Sequence, residues 1–275
     1  MVVFPKCKIN LGLYIERRRA DGYHDIATVM LPVGWSDVLE VVPGGSKRTR
    51  LFTYGRDVGC PPEKNLVMKA FRALEHETGV LPAVDIHLKK IVPDGAGLGG
   101  GSADAAAALI ALNDLLELGL DTARLADIAA GIGADCPLFI YRRPMLATGT
   151  GTTLEPFDLD LNDYTLLIAK PRHCMVSTAS AYAGVIPSGP APDLRRILSG
   201  DIHEWRNELT NGFEPGVFAI APDIAAVKKR MYEAGAVYSA MSGSGAAVFG
   251  IFSDHNKAEN LRLQLSDCDC YCSAI

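Results

Sequence analysis

The chain has 275 residues, which is enough for one large domain or two of moderate size. Its hydrophobic fraction of 48% and charged fraction of 21% are typical of a folded globular protein and exclude a disordered chain. A formal net charge of −5 argues against general nucleic-acid binding, although a small basic pocket is still compatible with it. No apolar run approaches the ~20 residues of a membrane span, and the first residues lack the layout of a signal or transit peptide. We therefore expect a cytoplasmic protein.

The seven cysteines are scattered and odd in number, which does not indicate a disulfide framework. Three of them, Cys268, Cys270 and Cys272, are spaced by two and would share one face of an extended terminal strand. Zinc sites favour wider ligand spacing, and no histidine lies nearby in the sequence. We predict a buried or half-buried strand face here rather than a metal site.

The first segment alternates apolar and polar residues, as a half-buried strand does. Its polar face would carry Lys6, Lys8 and Asn10. Further strands are predicted at residues 37–42 and 83–92. A helix is predicted at residues 64–78, with Gly79 just past its end.

Residues 91–102 form a glycine-rich stretch that follows a predicted strand and precedes a strongly helical segment at 103–118. Glycines leave the backbone without side-chain cover, so successive N–H groups can converge on an anion. The N-terminus of the helix would add its dipole at the same point. A diphosphate or triphosphate is the natural ligand. The alternative is a flexible turn in which Ser102 is the helix N-cap.

Two familiar nucleotide motifs nearly fit this loop. Gly95, Gly97 and Gly100 satisfy the dinucleotide pattern, but a second helix is predicted at residues 121–131 where that pattern needs a second strand. The P-loop pattern fails because Gly101 stands where its essential lysine would be. The charge of the phosphates must therefore be balanced by other groups, such as Mg²⁺ and lysines from another element.

A composition shift near residues 149–156 marks the predicted domain boundary. Beyond it, the predicted order is strand, helices, strand, strand, helix, strand, which matches a ferredoxin-like α+β unit. Helix 223–234 is well specified, because Pro222 stands at its start and Gly235 follows its end.

Three motifs together resemble those of the GHMP kinase superfamily. They are the strand Pro5-Lys-Cys-Lys8-Ile-Asn10, the loop Pro93-Asp-Gly-Ala-Gly97-Leu-Gly-Gly-Gly-Ser102, and the second glycine loop Met241-Ser-Gly-Ser-Gly245. The resemblance implies an α+β, two-domain GHMP kinase fold. It places an ATP-binding domain of ribosomal-protein-S5-like fold at residues 1–153 and a ferredoxin-like domain at residues 154–275. It also implies ATP and Mg²⁺ as cofactors.

Two further motifs resemble those of one branch of the superfamily: Arg19-Ala-Asp21-Gly22-Tyr23-His24 and Gly133-Ala-Asp135-Cys-Pro137. In that branch the acceptor is 4-(cytidine 5'-diphospho)-2-C-methyl-D-erythritol (CDP-methylerythritol), which is phosphorylated on its 2-hydroxyl. The resemblance implies this small-molecule substrate, no nucleic-acid or membrane partner, and a monomer or weak homodimer. An acceptor like homoserine or mevalonate is the alternative within kinases, although neither has a base to stack on Tyr23 and His24.

The resemblance assigns roles to residues that have plainer interpretations. Asp135 and Lys8 would be catalytic, although from sequence alone Asp135 is a helix N-cap and Lys8 a solvated lysine. The acceptor would be bound by Asn10, Tyr23, His24 and Tyr182, the last of which could instead be a buried helix aromatic. ATP would be bound by Asn65 and by Pro93, Asp94, Gly95, Ala96, Gly97, Leu98, Gly99, Gly100, Gly101, Ser102 and Ala103. No protein residue is predicted as a metal ligand.

Two other functional classes are compatible with parts of the pattern. A nucleotide-sensing regulator could retain the loop without chemistry, but it would not need Lys8 and Asp135. An RNA-binding module could use the S5-like fold, but the acidic balance opposes it.

Overall fold

The computed structural model describes residues 1–275, which form strands and helices in mixed order. The strands are β1 (Val2–Val3), β2 (Lys6–Arg18), β3 (His24–Ser36), β4 (Val38–Pro43), β5 (Arg50–Gly55), β6 (Val84–Lys90), β7 (Met145–Thr148), β8 (Thr153–Pro156), β9 (Thr165–Pro171), β10 (Tyr238–Met241), β11 (Val248–Phe252) and β12 (Cys268–Ala274). The helices are α1 (Leu66–Thr78), α2 (Gly100–Leu115), α3 (Thr122–Ala130), α4 (Cys136–Tyr141), α5 (Thr178–Ala183), α6 (Leu194–Leu198), α7 (Trp205–Glu208), α8 (Glu214–Ile220), α9 (Pro222–Glu233) and α10 (His255–Gln264).

The chain divides into two compact units, each built from separate stretches of sequence. The first unit comprises Met1–Cys7, Trp35–Asp94 and Gly99–Arg143. The second comprises Lys8–Gly34, Gly95–Leu98 and Pro144–Ile275. The linear boundary after residue 153 stays a prediction.

The first unit packs helices on a four-stranded sheet of order β1-β4-β6-β5. Alternate residues of β6, among them Ile86 and Leu88, are fully buried, as expected of a sheet with one covered face. Helix α2 packs against α1, α3 and α4. Its many alanines are buried on all sides, because small side chains allow close approach of several neighbours.

The second unit holds the sheets β2-β3-β7-β8, in which a few terminal residues of β2 and β3 belong to the first unit, and β10-β11-β9-β12. In the latter, β9 lies between β11 and β12 and pairs antiparallel with both. Because β9 is the first of these strands in sequence and β12 the last, this is the split arrangement of a ferredoxin-like fold. The predicted α+β fold of the C-terminal part is confirmed.

Several local expectations can be checked against the structure. Cys268, Cys270 and Cys272 lie in β12, the first buried and the others half-buried, so the predicted terminal strand is confirmed. The prediction of a half-buried first strand was wrong, because both faces of β2 are covered, and Lys8 and Asn10 are only 4% and 2% exposed. Lys6, by contrast, is exposed.

The glycine run also starts its helix earlier than predicted. Helix α2 begins at Gly100, and its N-cap position is Gly99 with φ of 68°. Ser102 is therefore inside the first turn, and the alternative in which it is the helix N-cap does not hold. Without β-carbons, the glycines tolerate both the left-handed cap and the first helical turn.

None of the helices combines the length and the apolar character that crossing a bilayer requires.

Candidate active site

In the second unit, the middle of the glycine loop is held by a lysine and a serine from distant parts of the chain. The carbonyl oxygen of Gly97 accepts hydrogen bonds from Lys8 Nζ at 2.9 Å and from Ser242 Oγ at 2.9 Å. Lys8 Nζ also donates to Asn10 Oδ1 at 2.6 Å. A backbone hydrogen bond also joins β2 to the loop, because the N–H of Lys8 donates to the carbonyl of Leu98 at 2.9 Å. The buried ammonium thus lies directly against the predicted phosphate loop.

The hydrogen bonds of Lys8 to Asn10 and Gly97 orient its ammonium. Both acceptors, an amide oxygen and a backbone carbonyl, are uncharged. Asn10 is in turn fixed by Thr28, whose hydroxyl accepts from Asn10 Nδ2 at 3.1 Å and donates to the carbonyl of Gly12 at 2.5 Å. Polar pairing of this kind offsets part of the desolvation of a buried cation.

The second glycine loop approaches the first so closely that Gly97 cannot carry a side chain. Its φ is +73°, and a β-carbon there would lie 1.9 Å from the carbonyl oxygen of Ser242. Asn211 supports the second loop from below, donating to the carbonyls of Met241 at 2.7 Å and Gly243 at 2.8 Å. The sequence motif included Ser242, but Asn211 was missed because its role depends on a contact 30 residues away.

The predicted acceptor residues lie at a hairpin of the same unit, Tyr23 in the turn and His24 at the start of β3. The N–H of Arg19 donates to the carbonyl of Tyr23 at 2.8 Å, and Asp21 accepts from the N–H of Tyr23 at 3.1 Å. Asp25 accepts hydrogen bonds from Arg17 at 2.5 Å and Arg19 at 3.1 Å, and these hydrogen bonds, chiefly that of Arg17, hold the pKa of Asp25 below its usual range. The turn is thereby fixed, and Tyr23 is 68% exposed.

Tyr182 and His24 meet although 158 residues separate them in sequence. Their rings stack with centroids 4.9 Å apart and an angle of 28° between planes. Phe213 packs edge-on against Tyr182, with centroids 4.8 Å apart. The structure brings these two predicted acceptor residues together, and Tyr182 is only half-buried rather than a core aromatic.

In the first unit, the residues that follow the middle of the glycine loop form the start of α2. A β-carbon at Gly101 would lie 3.7 Å from Leu66, so the first turn of α2 lies beside the start of α1. Asn65 is the N-cap of α1, and its Oδ1 accepts from the N–H of Val67 at 2.9 Å. Asn65 is therefore near the loop, and its Oδ1 atom already accepts the hydrogen bond that caps α1. Pro93 is buried, whereas Asp94 is exposed.

Asp135 lies in a tight turn of the first unit, next to the start of α2. It occupies the N-cap position of α4 but makes no side-chain cap hydrogen bond. A β-carbon at Gly133 in this turn would be 3.3 Å from Cys136 Sγ and 3.9 Å from Ser102 Oγ. Asp135 is half-buried. The sequence-based alternative, a carboxylate used as a helix cap, is not what the structure shows.

Comparisons with known proteins place the chain in a family. Residues 65–143 match the family model of the GHMP kinases N terminal domain, and residues 191–269 match that of the GHMP kinases C terminal. Both matches, and relatives of high identity along nearly the whole chain, bear out the resemblance. The chain belongs to the GHMP kinases.

Particular relatives carry a more specific name. A protein of Parabacteroides distasonis named 4-diphosphocytidyl-2-C-methyl-D-erythritol kinase is 47% identical over 270 residues, 98% of this chain and 97% of the relative. A Bacteroides fragilis protein of the same name is 43% identical over 98% of each chain. A crystal structure of 4-(cytidine 5'-diphospho)-2C-methyl-D-erythritol kinase matches with a TM-score of 0.85 and 32% identity, covering 99% of this chain and 98% of that one.

The close approach at Gly97 can be tested against its neighbour Gly95, which also has a positive φ but has no atom within 4 Å of the point where a β-carbon would lie. We expect Gly95→Ala to cost about 1–2 kcal/mol of unfolding free energy, because an alanine is strained in the left-handed conformation. Gly97→Ala should cost clearly more, because it must also push the Ser242 backbone away. Urea denaturation of both variants measures the difference, and equal losses would contradict the close packing at Gly97.

Proposed function

We propose that this chain is a 4-diphosphocytidyl-2-C-methyl-D-erythritol kinase, which transfers the terminal phosphoryl group of ATP to the 2-hydroxyl of CDP-methylerythritol in isoprenoid precursor biosynthesis. The observation that carries the proposal is the combination, within one compact unit, of a buried Lys8 on the glycine loop and a stacked His24–Tyr182 pair. The first suits a phosphate and the second a planar base. The names of the relatives support the same acceptor. An ATP-using kinase of this kind is expected in the cytoplasm.

The glycine loop is proposed to bind the phosphates of ATP. Gly95, Gly97 and Gly99 have φ of 60°, 73° and 68°, so left-handed residues alternate along the loop. Such alternation turns successive N–H groups toward one point and makes an anion-binding concavity. The N-terminus of α2, where helical N–H groups lack intrahelical partners, begins immediately after Gly99. Asn65 is proposed to contact the adenosine part.

Mg²⁺ is proposed as the second cofactor. This cation prefers oxygen ligands and keeps several from water and substrate phosphates, so a site needs few protein donors. The bound ion would neutralise charge on the phosphates.

Lys8 is proposed to act on the acceptor hydroxyl and the transferring phosphoryl group. Its side chain is buried and is held by Asn10 and Gly97, so the ammonium is positioned before the reaction. Phosphoryl transfer depends mainly on such positioning and on stabilising negative charge in the transition state. Asn10, which bonds Lys8, is proposed to contact the acceptor as well.

Asp135 is proposed to accept the proton of the attacking hydroxyl. An ordinary carboxylate is a weak base, but proton removal is late in a loose phosphoryl-transfer transition state, so a weak base suffices. Its side chain is not used as the cap of α4, which is consistent with a role toward substrate.

The substrate assignment is tested by measuring ADP release with Mg²⁺ and a panel of acceptors. We expect turnover with CDP-methylerythritol and little or none with homoserine, mevalonate or galactose at equal concentration. The reason is that only the first acceptor offers a base to His24 and Tyr182. Faster turnover with homoserine or mevalonate would overturn the acceptor assignment and leave the kinase class intact.

Replacing Asp135 with Asn should keep the shape of the turn and remove the base. We expect kcat to fall by at least about 10²-fold, the usual loss for a general base, with binding of both substrates retained. Single-turnover kinetics with saturating ATP measure the chemical step. Asp114→Asn, an exposed change elsewhere in the first unit, is the matched control. Near-normal kcat in Asp135→Asn would return Asp135 to a structural role.

The acceptor residues are tested by His24→Ala and Tyr182→Ala. Base stacking on an aromatic contributes about 1–3 kcal/mol, so each change should raise KM for CDP-methylerythritol about tenfold or more, with KM for ATP nearly unchanged. Because the two rings contact each other, the double variant should lose less than the sum of the single losses. Loss of ATP affinity with acceptor affinity retained would assign these residues to the nucleotide instead.

A further inference from the structure

The first unit contains a buried charge cluster that was not among the residues predicted from sequence. Lys90, the last residue of β6, donates to Asp104 Oδ2 at 2.8 Å and to Asp37 Oδ2. The side chains of Lys90, Asp104 and Asp37 are 2%, 3% and 0% exposed, respectively. A cluster this deeply buried is costly to desolvate, and it is stable only where its groups are paired.

The cluster has two carboxylates for one ammonium, so it does not balance unless one acid is protonated. Asp37 Oδ1 accepts from the N–H groups of Ile91 at 2.5 Å and Val92 at 2.8 Å. Asp104 Oδ1, in contrast, is buried without any hydrogen-bond partner. Burial raises the pKa of Asp104 to about 8; Lys90 opposes this increase, and the charge of Asp37 adds to it. The proton is therefore carried by Asp104 at neutral pH.

The same cluster holds the chain on both sides of the glycine loop. Asp37 binds the N–H groups of the two residues that follow Lys90, which lead into the loop. On the other side, a β-carbon at Gly100 would lie 3.3 Å from Lys90 Nζ, so the ammonium packs directly beneath the first residue of α2. Asp104, on the next turn of α2, completes the attachment.

We propose that Asp37, Lys90 and Asp104 are positioning residues for the phosphate loop, and that the proton on Asp104 tunes its affinity for ATP. The inference rests on the proposed nucleotide site. With Asp104 protonated, the cluster is neutral; with Asp104 ionised, it places one net negative charge beneath a site for a polyanion. ATP must then bind more weakly to the ionised form, and by linkage bound ATP favours the protonated form.

The elements packed around Asp104 bury no other group that titrates between pH 7 and 9. The buried residues of α1 and α3, which pack against α2, are all apolar. Those of α4 are apolar except for the Cys136 thiol, whose pKa is raised by burial to about 11. The buried residues of β4 are Leu39 and Val41. The charged groups that face Asp104 are thus Lys90 and Asp37, and the nearest charge in the loop itself is Asp94.

The tuning is tested by the pH dependence of binding for a non-hydrolysable ATP analogue with Mg²⁺, measured by calorimetry from pH 7 to 9. No turnover takes place, and any titration of the analogue itself is common to all variants and cancels in their comparison. Between pH 7 and 9, we expect the Kd of the unmodified protein to rise about threefold or more relative to the Kd of Asp104→Asn. This is a fraction of the limit, because full coupling to one proton allows a tenfold rise per pH unit. The asparagine keeps the side-chain shape and cannot ionise, so that variant should lack the rise.

The matched control for this change is Asp114→Asn, an exposed substitution on the same helix, which should keep the pH dependence of the unmodified protein. Equal pH dependence in Asp104→Asn and the unmodified protein would overturn the tuning. A structural role alone would change thermal stability without changing the pH dependence of Kd.

The positioning is tested by Lys90→Met, with Lys89→Met on the exposed side of the same strand as control. Removing the ammonium should raise KM for ATP about tenfold or more, with KM for the acceptor within about twofold. If Lys90→Met does not fold, Lys90→Met/Asp37→Asn removes the buried carboxylate that has lost its ammonium, while the asparagine oxygen can still accept from the N–H groups of Ile91 and Val92. This double variant should restore folding without restoring ATP affinity. Equal losses for both substrates, or normal ATP affinity in the double variant, would contradict the positioning.

One further variant separates failure of this inference from failure of the proposed nucleotide site. A side chain at Gly101 has room within the protein, because its β-carbon would lie 3.7 Å from its nearest neighbour. Gly101→Val should therefore fold normally and weaken ATP, provided the loop binds phosphates. If Gly101→Val binds ATP normally, the nucleotide site is wrong. If it loses ATP while the cluster variants behave like their controls, only the inference fails.

Discussion

The second unit depends on one backbone oxygen, the carbonyl of Gly97. It accepts hydrogen bonds from Lys8 and Ser242, which are 89 and 145 residues away in sequence, so three chain segments converge on a single atom. The convergence is possible only because Gly97 has no β-carbon and adopts a left-handed conformation. Once the Ser242 backbone has approached this far, the ammonium, the two glycine loops and Asn211 have little freedom left. A site organised this way meets its ligand with its charges already oriented.

The chain buries two lysines near the ends of the same loop, and their contacts differ in kind. In the second unit, Lys8 donates to an amide oxygen and to a backbone carbonyl, and these hydrogen bonds orient its ammonium. In the first unit, Lys90 forms ion pairs with two carboxylates, so its charge is balanced within the protein. Burial is costly for either ammonium, so each needs polar contacts. The carboxylates convert Lys90 into a structural anchor, and the net charge of that anchor depends on a proton.

The features that could be predicted from the sequence were those determined by residues close together in the chain. The glycine loop, the strand–loop–helix order and the terminal cysteine strand follow from periodicity and from residues adjacent in the chain. The family motifs then pointed to Lys8, Asp135, His24 and Tyr182. The Lys90 cluster was not predicted, because its partners come from positions 53 residues before and 14 residues after Lys90, and a lysine at the end of a strand normally indicates an exposed residue. The burial of β2 on both faces was missed for the same reason, since covering of the second face is decided by tertiary packing.

In the proposed acceptor site, the single aromatic contact between His24 and Tyr182 would serve both affinity and selectivity. An offset aromatic pair contributes about 0.5–1.5 kcal/mol beyond its buried area, which is modest beside the stacking of a base. Its larger effect is geometric. An imidazole held flat on Tyr182, itself held edge-on by Phe213, presents its ring nitrogens in a fixed plane. Hydrogen bonds to the edge of a base are directional, so a fixed plane distinguishes one base from another more sharply than a freely rotating ring. Under the proposed function, Tyr182 would therefore contribute to base selectivity through the orientation of His24, even though its own stacking contact does not distinguish one base edge from another.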